Sequence, residues 1–152
     1  MGNRHLVAEQ LPTMLAHEGT WVGEYQHVDL AGAVLDRHDT HIVCEFPDDG
    51  PHVYIQHNTF TWADGREYKA TLPGVLKDGM LWWDVETFHG KAWQSEVGII
   101  LLHLIRKDVE GGEFFEMIVL GQDGVSRART WHWFEHGTLT KRTLCNERKL
   151  AP

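Results

Sequence analysis

At 152 residues with a formal net charge of −8, the chain is sized for one domain and has no Lys/Arg cluster to suit a phosphate backbone. The start, MGNRHLVAEQLPTM, lacks an apolar signal core and a myristoylation Ser/Thr at position six, and no run reaches the ~18 apolar residues of a membrane helix. A soluble cytoplasmic protein is expected, with no nucleic-acid or membrane partner.

Val7 to His17 reads as a short amphipathic helix, with Leu11, Met14 and Leu15 on one face, Pro12 near its first turn and Gly19 as its stop. From Gly19 onward, turn signals recur every eight to twelve residues, too often for helices of ordinary length. The first strand, GTWVGEY and onward, sets Trp21, Gly23, Tyr25 and His27 on one face; Gly23 is the point where it bends. A second strand from about Asp36 to Phe46 precedes the turn PDDGP. In the third, HVYIQHNTFTWA, the residues Tyr54, Gln56, Asn58, Phe60 and Trp62 share a face, and Asp64–Gly65 turns the chain into REYKATL, which Pro73 and Gly74 are expected to end.

In the fifth strand, MLWWDVETF, the residues Trp82, Asp84 and Glu86 oppose Leu81, Trp83 and Val85; a short sixth covers Lys91 to Gln94. VGIILLHLIRKD is apolar on both faces, as suits a strand covered by core on one side and by the helix or a second subunit on the other; periodicity alone also admits a buried helix there. FFEMIVLG follows, then SRARTWHWFE with Arg127, Arg129, Trp131 and Trp133 on one face, and last TLTKRTLCNERKL. About eight to ten strands joined by short turns predict an all-β fold: one closed antiparallel up-and-down barrel over residues 19–150, with a two-sheet sandwich as the alternative. Cys44 and Cys145 lie in separate strands, and two free thiols are expected rather than a disulfide.

Gly19, Thr20 and Trp21 form a Gly-x-Trp motif, and in this the chain resembles the lipocalin-like (calycin) superfamily, including small bacterial members of unassigned function. The resemblance implies that Trp21 closes the barrel floor and that an arginine or lysine near the end of the last strand packs over it, with Arg142 and Arg148 as candidates. Extended to Gly23, the motif is also similar to the start of nitrobindin-type haem barrels. Those place an axial histidine close to the final strand, which here has none from Thr138 on, so the resemblance to haem binders is the weaker one.

Small barrels either fill with side chains or hold one small ligand. Polar residues alternating with aromatics favour a ligand, and the expected lining is Trp21, Tyr25, His27, Tyr54, Gln56, Asn58, Trp82, Arg129, Trp131 and Arg142. The charged residues Asp84, Glu86 and Arg127 are expected to point outward instead. His103, inside an apolar strand, and His132, between two tryptophans, are the candidate proton-transfer groups if the barrel is a cofactor-independent isomerase, cyclase or lyase. HExxH, CxxC, GxSxG and phosphate-cradling glycine loops do not occur, and His38 and His41, three apart on a strand, face opposite sides; neither metal nor cofactor is expected. The expected partner is a small apolar or aromatic molecule, with a homodimer possible through the strand around Ile99 to Ile105.

Overall fold

The computed structural model describes residues 2–152, which begin with two short helices, α1 (Asn3–Gln10) and α2 (Pro12–Leu15). The expected single helix starts earlier and breaks at Leu11, because Pro12 cannot continue α1 but suits the first turn of α2. Ten strands follow: β1 (Gly19–Val28), β2 (Val34–Glu45), β3 (Tyr54–Thr61), β4 (Glu67–Lys77), β5 (Met80–Asp84), β6 (Phe88–Gln94), β7 (Ile100–Arg106), β8 (Gly112–Leu120), β9 (Ser126–Glu135) and β10 (Thr138–Lys149). Each pairs antiparallel with its sequence neighbours, and β1 closes the cylinder by pairing with β10, from Trp21 opposite Lys149 to Val28 opposite Arg142. The barrel expectation therefore holds, the sandwich does not, and the two-sided apolar segment is strand β7.

Pro73 does not end β4. It lies where the strand changes partners: pairing with β3 runs up to Tyr54 opposite Gly74, and pairing with β5 begins only at Gly74 opposite Trp83. The missing proline N–H thus falls where the β5 ladder has not yet started. Gly23 sits directly across from Glu147, and a Cβ there would stand 2.3 Å from the Asn146 carbonyl oxygen. The glycine lets β1 and β10 close on each other.

The helices, the β2–β3 and β6–β7 connections and the C-terminus lie at one end of the barrel, tied by the Thr13 backbone N–H to Gln94 Oε1 (3.0 Å) and by Asn3 Nδ2 to the carbonyl of Gly50 (3.0 Å). Val7, Leu11 and Met14 drop into the same core as Trp21, Ile42, Tyr54, Leu81 and Ile100, plugging this base. Each such burial contributes about 1.5–3 kcal/mol. On the outward face of β7, Ile105 stays exposed. Among the described residues no helix is long and apolar enough to cross a membrane.

Candidate functional site

Every second side chain of each strand points into the barrel, and the inward set does not fill it. A cavity of about 580 Å³ runs from Met14 and His17 at the plugged base to Trp62, Arg106 and Asp108 towards the other end. That volume falls in the range of about 300–1,000 Å³ typical of small-molecule pockets.

At the base, Trp21 is fully buried, its Nε1 donating to the His17 carbonyl (2.9 Å). The cation over its ring is Arg127 of β9, 4.4 Å from the centroid, joined by Lys149 at 5.8 Å. Arg142 and Arg148 do not take this place. The inward residues of β10 are Thr143, Cys145 and Glu147, so the even-numbered arginines face out. Arg127, expected outside, is buried: its Nε donates to Glu147 Oε1 (2.7 Å) and its Nη1 to His17 Nδ1 (3.2 Å). A guanidinium only donates, so His17 Nδ1 accepts and the ring proton sits on Nε2. Burial, and then the charges of Arg127, Arg129 and Lys149, push the His17 pKa down to about 3.

One inward step further, Arg129 donates through Nε to Glu116 Oε2 (2.7 Å) and through Nη1 to the Tyr25 hydroxyl (2.8 Å), while its guanidinium lies 5.0 Å from the Trp131 ring centroid. Burial raises the Tyr25 pKa, which keeps it a neutral phenol. Two arginines face two carboxylates, so this inner wall carries no surplus charge. Opposite it, β3 presents a neutral polar ladder in which the Tyr54 hydroxyl donates to Gln56 Oε1 (2.8 Å) and Gln56 Nε2 to Asn58 Oδ1 (2.8 Å).

Towards the open end the register sets His27 of β1 between Asp36 of β2 and Thr143 of β10. His27 Nδ1 lies 2.6 Å from Thr143 Oγ1, which also accepts from Trp133 Nε1 (2.7 Å); His38 Nδ1 lies 2.8 Å from Asp36 Oδ2, and Trp62 Nε1 donates to Asp36 Oδ1 (3.0 Å). Burial, followed by the charge of Lys141, pushes the His27 pKa down to about 4.

Of the residues expected to line the lumen, Tyr25, His27, Tyr54, Gln56, Asn58, Arg129 and Trp131 do so, and Trp21 forms the floor beneath. Trp82 does not. It faces out, its Nε1 donating to the Lys77 carbonyl (3.0 Å), and Trp83 takes the inward place beside Leu81. Asp84 and Glu86 are exposed as expected. Both candidate catalytic histidines lie outside the barrel: His103 pairs with Glu113 (2.7 Å) and stacks on Phe115, and His132 is exposed. The cause is the two-residue alternation, which sends Ile100, Leu102 and Leu104, and Trp131 and Trp133, inward and their neighbours outward. His17, Asp36, Glu116 and Glu147 carry no role in the sequence reading, and His38 enters it only beside His41, as a pair on opposite faces unsuited to a metal. The Asp36-x-His38 spacing, two positions on one strand face, was the one signal for any of them.

No protein-family model and no curated protein sequence matches this chain. Solved structures do match. The S-type phycobiliprotein lyase CpeS from Guillardia theta aligns over 100% of this chain and 94% of its own, with a TM-score of 0.72 and 15% identity. Rv2717c from M. tuberculosis aligns over 93% and 98%, at 0.66 and 13%. A protein of unknown function of the DUF3598 family from Nostoc punctiforme matches 90% of this chain at a TM-score of 0.67 and 16% identity, and this chain spans about half (49%) of its length. The likeness to these proteins shows a shared fold, a closed antiparallel barrel.

Proposed function

We propose that the barrel encloses one small aromatic or extended apolar molecule whose buried end is uncharged. The observation that carries this reading is the unfilled lumen of about 580 Å³, walled by rings from Tyr25, Phe60, Trp131 and Trp133. Packed interiors leave few voids larger than a water molecule, so a hollow of this size is a feature that folding alone does not require. The charges argue for a neutral guest. Arg127 and Arg129 are already paired with Glu147 and Glu116, and a buried carboxylate on the guest would lack a free partner. The ladder of Tyr54, Gln56 and Asn58 suits a carbonyl, hydroxyl or ring nitrogen instead.

Tryptophan quenching and native mass spectrometry against a panel of aromatic compounds test this, each compound offered as a carboxylic acid and as its amide. Linear tetrapyrroles belong in the panel because a phycobiliprotein lyase shares the fold. The amide is expected to bind at least tenfold more tightly than the acid, Trp131→Ala to weaken binding about tenfold or more, and Trp82→Ala to leave it unchanged. Acids binding better than amides, or equal losses in both variants, would overturn the reading.

A further inference from the structure

We propose that His27, Asp36 and His38 form a binding site for a zinc-class divalent transition metal towards the open end of the barrel. Each residue offers one ligand atom, two ring nitrogens and a carboxylate oxygen, and all three lie within 4.8 Å of one another. Adjacent strands dictate the grouping: Asp36 is directly opposite His27 across the β1–β2 ladder, and His38 is two residues along on the same face.

The surroundings hold the three side chains as the outer groups of a metal site do. Metal-binding imidazoles usually have their second nitrogen hydrogen-bonded, and ligating carboxylates are themselves anchored. Here Thr143, fixed by Trp133, holds His27 Nδ1, and Trp62 holds Asp36 Oδ1; the 2.8 Å contact of Asp36 Oδ2 with His38 Nδ1 sets a carboxylate oxygen beside a ring nitrogen, the pair an ion would bridge. His38 is 94% buried, which holds its ring in place beside Asp36.

Ligand atoms at ~2.0–2.2 Å from zinc in tetrahedral array stand about 3.3 Å apart. The set therefore has to contract by roughly 1.5 Å at its widest, within the reach of side-chain rotation at half-buried His27 and Asp36. Three protein ligands leave at least one position for water or for a donor atom of the guest. Two imidazoles favour zinc, cobalt or copper over magnesium and calcium, which take oxygen ligands. Lys141, whose charge acts on His27, and Arg106 beside it oppose the ion and weaken its binding.

The test uses the full chain, stripped with a chelator and titrated calorimetrically with Zn²⁺, with Mg²⁺ in parallel and Co²⁺ as a visible-absorption probe. No organic guest is present, so the outcome is independent of the proposed function. One Zn²⁺ per chain, no Mg²⁺ heat and tetrahedral or five-coordinate Co²⁺ bands are expected. His27→Ala and Asp36→Asn should each weaken Zn²⁺ binding at least tenfold, with the urea midpoint recorded to show that each variant is folded; His38→Gln repeats the test at the buried position. The double variant His103→Ala/His132→Ala, which alters only outward histidines, should bind as the unmodified protein does. Absence of stoichiometric Zn²⁺ binding, or loss of it in the outward variant with retention in His27→Ala, would overturn the site.

Discussion

Replacing His17 by asparagine should remove a specific part of the protein's acid sensitivity. In the native state Arg127 Nη1 donates to His17 Nδ1 at 3.2 Å and the ring is 2% exposed, so a second proton meets both desolvation and a fixed positive charge. The native pKa is accordingly pushed from 6.5 down to about 3. For a group whose folded value is depressed, stability is complete above the unfolded value and falls away as the pH drops towards the folded one. At pH 4.5 the unfolded chain has taken up the proton and the folded chain has not. Two pH units below 6.5, at about 1.36 kcal/mol per unit, amount to a loss of roughly 2–3 kcal/mol from this ring. That is a large share of the ~5–15 kcal/mol that usually separates folded from unfolded. Asparagine can present its amide oxygen to Arg127 at about the place of Nδ1, and it does not titrate. Urea unfolding followed by tryptophan fluorescence at pH 7 and pH 4.5 should therefore show the unmodified protein losing about 2–3 kcal/mol more than His17→Asn, with carboxylate contributions common to both. Equal losses in the two proteins would refute the buried, neutral assignment of His17.

Arg127→Met should destabilise by about 3–5 kcal/mol because it leaves the Glu147 carboxylate, 2% exposed, with only the longer 3.5 Å ion pair to Arg129. Adding Glu147→Leu should restore most of that in urea unfolding; a single-variant loss under about 1 kcal/mol would contradict the pairing argument. Gly23→Ala should cost about 1–3 kcal/mol, since the new methyl would press on the Asn146 carbonyl oxygen and part β1 from β10. Hydrogen exchange should localise the loss to the amides of those two strands, and a uniform loss would show that the closure is not what Gly23 protects. Cys44 and Cys145 are both free and buried, and burial pushes the Cys145 thiol up to about 12. An aromatic disulfide reagent should therefore label neither in the folded protein and both in urea, whereas rapid labelling of the folded protein would count against the burial of the two thiols.

The strand count and the closed meander were legible because turn signals and alternation are local properties. Alternation also grouped the lining residues correctly wherever one strand carried a single aromatic face, as Tyr54, Gln56, Asn58 and Phe60 do on β3. It failed where both faces carry aromatic or apolar residues. MLWWD offers Trp82 or Trp83 equally, and the choice falls to the β4–β5 register, which pairs Gly74 with Trp83 and turns that ring inward. SRARTWHWFE concealed the burial of Arg127, since an arginine reads as surface until a carboxylate is seen to meet it.

By itself, then, the sequence determined that this chain curls into a barrel and that aromatic rings alternate with polar groups along its strands. The tertiary structure decided the pairings: Glu147 with Arg127, Glu116 with Arg129, and His27 with Asp36 and His38. The physical reason is that alternation fixes only which residues of one strand share a face. Which charge meets which across the lumen depends on the register between strands whose paired residues lie up to 128 positions apart in the chain, as Trp21 and Lys149 do across the closing seam.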